Sequence, residues 1–268
     1  MRELVSFNHQ IVPAGNVSVS GVSSAALYGK GIFTTVAIYD GLPFLWETHW
    51  RRLLVNSAKL NIDMSNFSEA AVKYSLNEIL NENALVNGRA RTTILDESAN
   101  GIWPYGGEFK TSILITTANS RDIPGDFKLT VSPFRLNSAS PLAGIKSCNY
   151  LEKIAALNEA KDRGFDEAIC INERCEITSA CMANIFWLRD GKLFTPPLET
   201  GCLAGTTREH VMENAECFEV PDGLESLANA DAIFLTSAGI GVVQVAEIDG
   251  RKLPKTDHLI LDLVPGKN

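Results

Sequence analysis

The stretch Leu142-Ala143-Gly144-Ile145-Lys146-Ser147-Cys148-Asn149-Tyr150 sets a single lysine in a run of small and apolar residues, with no opposite charge nearer in sequence than Glu152. Desolvation disfavours an ammonium, so Lys146 is a candidate for a depressed pKa and for attack on a carbonyl carbon as a neutral amine. A lysine in such a run can equally extend its stem to solvent. The segments on either side decide between the two readings.

Downstream, residues 150–163 carry Ile154, Leu157 and Ala160 on one helical face and close at Gly164. Short strands are predicted over 168–171, 184–188 and 193–195, the last two joined by the turn Arg189-Asp190-Gly191. Residues 201–209 then read as a loop feeding a helix over about 207–217, with Thr206 and Glu209 spaced as a capping box. Amides at a helix N-terminus beside two hydroxyls suit an anion such as phosphate, and the same residues also suit a plain capped helix. A strand over 232–236 leads into Ser237-Ala238-Gly239-Ile240-Gly241, a second small-residue turn able to present amides.

Upstream, strands are predicted over 4–7, 17–19 and 32–39, the last ending in the hairpin signal Asp40-Gly41. Trp50, Leu53, Leu54, Ser57 and Leu60 recur at helical spacing, which predicts a helix over 47–60 with Thr48 as its cap and Arg52 on it. A second helix is predicted over 68–81, then strands over 89–95 and 110–116. Between those strands, 96–108 holds Gly101, Trp103, Pro104, Tyr105, Gly106 and Gly107, which suits a covering loop or surface packing. The polar run ending in Pro124-Gly125 reads as a linker. The pattern is an α+β chain with a small N-terminal α/β domain over 1–118, a linker over 119–125 and a larger C-terminal α/β domain over 126–268.

With 45% hydrophobic and 21% charged residues, the 268-residue chain has the balance of a globular protein with a substantial core. A net charge of −8 argues against nucleic-acid binding, which needs clustered Lys and Arg. No apolar run has signal-peptide or membrane-helix character, so no membrane association and a cytoplasmic location are expected. The six cysteines show no Cys-x-x-Cys pair and the four histidines are scattered singly, so no metal site is expected and the thiols read as reduced.

In order and spacing, several segments resemble the pyridoxal-phosphate enzymes of fold type IV, the branched-chain and D-amino-acid aminotransferases and aminodeoxychorismate lyase. They are Tyr28-Gly29-Lys30-Gly31-Ile32-Phe33-Thr34-Thr35, Tyr39-Asp40-Gly41, His49-x-x-Arg52-Leu53, Gly144-Ile145-Lys146-Ser147-x-Asn149-Tyr150, Asp166-Glu167-Ala168, Asn184-Ile185-Phe186-Trp187, Leu193-Phe194-Thr195-Pro196-Pro197-Leu198 and Gly201-Cys202-Leu203-Ala204-Gly205-Thr206-Thr207-Arg208. The resemblance implies pyridoxal 5'-phosphate as cofactor, a site between the two domains, and Lys146 as the residue that forms the internal aldimine and shuttles the proton at the substrate Cα. It implies Arg52, Thr206 and Thr207 on the phosphate with Ser237 and Ala238 completing the cup, and Tyr150 near the ring 3′ oxygen. Phe33, Thr35 and Arg91 match substrate positions. An amino acid or 2-oxo acid substrate and a homodimer are implied as well.

Three positions depart from the family. A glutamate that pairs with the protonated pyridine nitrogen normally stands five residues before the asparagine of Asn-Ile-Phe, and here that position is Ser179. Glu176 is displaced by roughly 10 Å along an extended strand. Lys30 replaces an acidic residue, and Ala37 stands where several relatives carry a basic one. The leading expectation is an aminotransferase. The alternatives are a lyase releasing 4-aminobenzoate and pyruvate, which Phe33-Thr34-Thr35 and residues 181–187 resemble closely, and a divergent member with neither activity.

Overall fold

Asp40 and Gly41 both take positive φ, 51° and 76°, the conformation that turns one strand tightly back on the next. In the computed structural model, which describes residues 1–98 and 109–265, this turn closes one edge of the first of two compact units. That unit comprises Met1–Arg121 together with Lys146–Asn149. Its elements are β1 (Leu4–Phe7), β2 (Gln10–Pro13), α1 (Ser24–Tyr28), β3 (Gly31–Tyr39), β4 (Leu42–Pro43), α2 (Trp46–Leu60), α3 (Glu69–Glu82), β5 (Gly88–Asp96) and β6 (Thr111–Asn119). The strands form one antiparallel sheet in the order β2-β1-β6-β5-β3-β4. Helix α2 packs on β3, and α3 packs on β1 and β6. Ser68 caps α3 by accepting the Ala71 N–H at 3.2 Å.

Beyond the β3–β4 turn, β3 offers a free half-edge, and residues 146–148 fill it. Phe33 N–H donates to the Lys146 carbonyl at 2.9 Å, and Cys148 N–H donates to the Gly31 carbonyl at 2.8 Å. By contacts Lys146–Asn149 therefore groups with the first unit, whereas the sequence reading put Lys146 in 126–268.

The second unit, Asp122–Ile145 with Tyr150–Asn268, contains β7 (Lys128–Val131), α4 (Leu151–Asp162), β8 (Glu167–Ile171), β9 (Ile177–Ala180), β10 (Asn184–Arg189), β11 (Lys192–Thr195), α5 (Thr206–Asn214), β12 (Cys217–Glu219), α6 (Glu225–Ala228), β13 (Ala232–Ser237), β14 (Gly241–Gln244), β15 (Glu247–Ile248) and β16 (Arg251–Lys252). Two five-stranded sheets, β12-β11-β10-β13-β14 and β16-β15-β7-β8-β9, share one core. Leu129, Ile169 and Ile177 of one meet Ile185, Trp187, Ile233, Leu235 and Val243 of the other. Helix α4 lays Ala156, Leu157 and Ala160 against Ala168 and Cys170 of β8. The α+β class read from the sequence is the class observed.

Four local expectations fail for identifiable reasons. Residues 17–19 form no strand, because the chain leaves β2 at Pro13 into a single 3-10 turn, Ala14–Asn16. Thr48 is not the cap of α2: the short return through β4 starts the helix earlier, at Leu45 in a left-handed conformation. Ile154 is exposed, since α4 buries the 156, 157, 160 face instead. Thr206 is already helical with Gly205 at the N-cap, so Thr206 does not stand at the cap position. Of the proposed covering loop, residues 99–108 lie outside the described residues.

The close approach at the β3 half-edge makes one position sensitive. A Cβ at Gly31 would meet the Ile94 carbonyl oxygen at 2.8 Å and the Cys148 Sγ at 3.0 Å. Gly31→Ala should destabilise the protein by about 1–3 kcal/mol, lowering Tm by several degrees in a thermal melt. Gly15→Ala, with nothing within 4 Å, should leave Tm unchanged.

Candidate functional site

In the first unit the site grows from β3 and its alternation. Phe33 and Thr35 share a face with their β5 partners Thr93 and Arg91, while Thr34 points to the opposite face. The Arg91 guanidinium lies over the Phe33 ring at 3.6 Å, and its Nε donates to the Thr93 hydroxyl at 3.2 Å. The Lys146 Nζ stands 4.6 Å from the centre of the same ring. Two basic side chains thus lie close to one aromatic ring, a setting that would suit a carboxylate. The Cys148 thiol is pushed up by burial, against a downward pull from Arg91.

On the other face, α2 supplies His49 and Arg52, one helical turn apart. Arg52 Nη2 donates to Thr34 Oγ1 at 2.7 Å, and Thr34 Oγ1 lies 2.6 Å from His49 Nδ1. Because the threonine oxygen accepts from Arg52, its own proton is available to a neutral imidazole at Nδ1. Burial, then the charges of Arg52 and Lys146, hold the His49 pKa well below the ordinary histidine value. The neutral His49 and Thr34 together aim the Arg52 guanidinium. Lys30 ion-pairs with the buried Asp96 at 2.6 Å, so the charge reversal at position 30 is balanced within this unit.

In the second unit Asn184 joins two further groups. Its Nδ2 donates to the Leu203 carbonyl at 2.8 Å, and a Cβ on Gly205 would come within 1.9 Å of its Oδ1. Only glycine lets the start of α5 approach so closely. Asn184 also stands opposite Thr236 on β13, and Thr236 leads directly into the Ser237–Ala238 turn. Thr206 and Thr207 are buried at the first turn of α5, whose N-cap residue is Gly205. The Thr236 hydroxyl is buried with no hydrogen-bond partner. A helix start, small residues and an unsatisfied buried hydroxyl are the chemistry of an anion cradle.

Tyr150 occupies the N-cap position of α4. Ser179 is buried on β9 and accepts a hydrogen bond from Lys153 Nζ of α4 at 3.1 Å. Glu176 is committed elsewhere, to Arg174 and Asn172 at 2.7 Å each. The sequence reading missed Lys153 and Thr236. Lys153 was legible in principle, since 153, 157 and 160 recur at helical spacing on the buried face of α4. Glu167 is buried and accepts the amides of Ala168, Cys181 and Met182, which fixes the bend leading to Asn184. Burial raises its pKa against those hydrogen bonds.

Among the described residues, no group of three or more His, Cys, Asp or Glu side chains is placed to hold a metal ion, and no helix is long and apolar enough to cross a membrane.

Residues 31–248 match the sequence profile of the family Amino-transferase class IV. The putative branched-chain-amino-acid aminotransferase of Methanocaldococcus jannaschii is 30% identical, covering 92% of this chain and 88% of that protein. The aminodeoxychorismate lyase of Bacillus subtilis is 27% identical, covering 92% and 87%. The crystal structure of the branched-chain aminotransferase from Thermoproteus uzoniensis with norvaline superimposes with a TM-score of 0.90 at 25% identity, covering 98% and 92%.

His49 links this site to acid stability. Its folded-state pKa lies below the unfolded value of about 6.5, so as pH falls the unfolded chain takes the proton first. Stability should be complete above about pH 7 and decline below it, by up to about 1.4 kcal/mol per pH unit from this group. In denaturant titrations between pH 7.5 and 5.5, His49→Gln should show a shallower decline than the unaltered protein.

Proposed function

Because the chain belongs to the class IV amino-transferases, we propose that it moves an amino group between an amino acid and a 2-oxo acid, with Lys146 as the residue that holds the cofactor and carries the proton. The enzyme is pyridoxal-phosphate-dependent, as its family is. When bound, that cofactor supplies an electron-withdrawing ring that stabilises negative charge at the Cα of an amino acid. The residues present fit it. A buried, unsatisfied Thr236 hydroxyl and a glycine-only approach at Gly205 suit a phosphate at the start of α5.

The observation that carries the proposal is the placement of Lys146. Its segment is pinned to β3 by two backbone hydrogen bonds, and its Nζ lies near the Phe33 ring that Arg91 also contacts. In this reading Lys146 would hold the cofactor through its Nζ and, once the substrate amine had displaced it, would take and return the proton at the substrate Cα. Arg52, oriented by Thr34 and His49, neutralises phosphate charge. Thr206, Thr207, Ser237 and Ala238 offer amides and hydroxyls to the same phosphate, and Tyr150 meets the ring 3′ oxygen. Arg91 takes the substrate carboxylate, with Phe33 and Thr35 lining the substrate side. Ser179 meets the ring nitrogen.

A second reading, elimination giving 4-aminobenzoate and pyruvate, is favoured by one observation: no acid stands at position 179. Elimination that ends in an aromatic ring depends less on a strongly electron-withdrawing cofactor.

Adding pyridoxal phosphate should produce a visible absorption band that Lys146→Ala abolishes. Transfer from L- or D-amino-acid donors to a 2-oxo acid should appear in the same preparation. Release of 4-aminobenzoate from aminodeoxychorismate with no amino transfer would replace the first reading by the second. Arg91→Leu should raise KM for the amino donor roughly 10- to 100-fold, the cost of losing a charged hydrogen-bond partner. An unchanged KM would remove Arg91 from the substrate site.

A further inference from the structure

Ser179 is where this chain departs most from the sequence pattern around it, and its surroundings have a definite hydrogen-bond polarity. Its hydroxyl accepts from Lys153 Nζ at 3.1 Å, and among the described residues this is its one side-chain hydrogen bond. Lys153 occupies one of the oxygen's two lone pairs, and the serine's own proton has no described acceptor and is left to donate. The position therefore presents a donor, backed by an ammonium. A carboxylate there would present an acceptor only.

Nearby titratable groups do not reverse this. Cys170 faces Ser179 directly across the β8–β9 ladder, and its Sγ lies 3.9 Å from that of Cys181. Glu167 is the buried acid within reach of both thiols, and its oxygens are taken by the amides of Ala168, Cys181 and Met182. Lys153 acts on the same two thiols, pulling down at Cys181 what the hydrogen bond with Cys170, and then burial, push up. No acidic side chain is hydrogen-bonded to Ser179 or ion-paired with Lys153 among the described residues.

We propose that Lys153 is a positioning residue that, through the Ser179 hydroxyl, keeps the pyridine nitrogen of bound pyridoxal phosphate unprotonated. This rests on the reading above that Ser179 meets that nitrogen. A pyridinium N–H would set a second positive charge beside the Lys153 ammonium and leave the Ser179 proton without an acceptor. An unprotonated nitrogen instead accepts the Ser179 proton. The arrangement selects a cofactor of reduced electron-withdrawing power, suited to steps in which the departing group or an aromatising product drives the reaction.

The protein reconstituted with pyridoxal phosphate labelled with 15N at the ring nitrogen tests this by NMR. The bound label should resonate in the unprotonated range between pH 6 and 8. Ser179→Glu should move it to the protonated range, and Lys153→Met should move it part of the way, while Lys153→Arg should leave it as in the unaltered protein. A protonated nitrogen in the unaltered protein, with cofactor bound and its absorption band present, would overturn the inference and leave the proposed function standing. An unprotonated nitrogen in every variant would overturn it equally, since neither side chain would then control the proton. Failure of the label to bind at all would overturn both.

Discussion

Two backbone hydrogen bonds, from Phe33 N–H to the Lys146 carbonyl and from Cys148 N–H to the Gly31 carbonyl, fix where the lysine leaves the chain. They exist because β4 is only two residues long and leaves half of the β3 edge open. An open edge carries unsatisfied amides and carbonyls, and a second segment must satisfy them. That necessity draws Lys146–Asn149 onto the first unit although the residues on either side belong to the second. Gly31 is the fitting side of the same contact, since a side chain there would strike both β5 and Cys148.

Within each unit, charge is handled by burial and by hydrogen-bond direction. His49 is kept neutral by desolvation and by two cations, so it can accept through Nδ1 and steady Thr34 and Arg52. In the second unit Asn184 does the comparable work without charge. It ties the Leu203–Gly205 approach of α5 to the β13 row that ends in the Ser237–Ala238 turn. Each cluster depends on a small polar side chain with a fixed partner rather than on surface ion pairs, which contribute little in water.

The sequence made most of this architecture legible where a local rule was strong. Asp40-Gly41 marked the hairpin, Ser68 the start of α3, and Gly164 the end of α4. Lys146 stood out because charge is rare in an apolar run. What was not legible was set by distant partners. The cap of α2 fell at Leu45 because of the β4 return, and the cap of α5 fell at Gly205, one residue before Thr206, where the chain approaches Asn184. Lys153 went unread because its partner, Ser179, lies 26 residues away on β9, and only the packing of α4 on the β8–β9 sheet brings them together. Thr236 looked like an ordinary strand residue until its hydroxyl was found buried without a partner.

The central claim is that Lys146, among all the lysines of this chain, carries the cofactor. Borohydride reduction of the protein saturated with pyridoxal phosphate, followed by peptide mapping, tests it most directly. The account predicts a single pyridoxyl adduct on the peptide containing Lys146. An adduct on Lys153 or Lys30 instead, or stable binding with no covalent adduct, would contradict it.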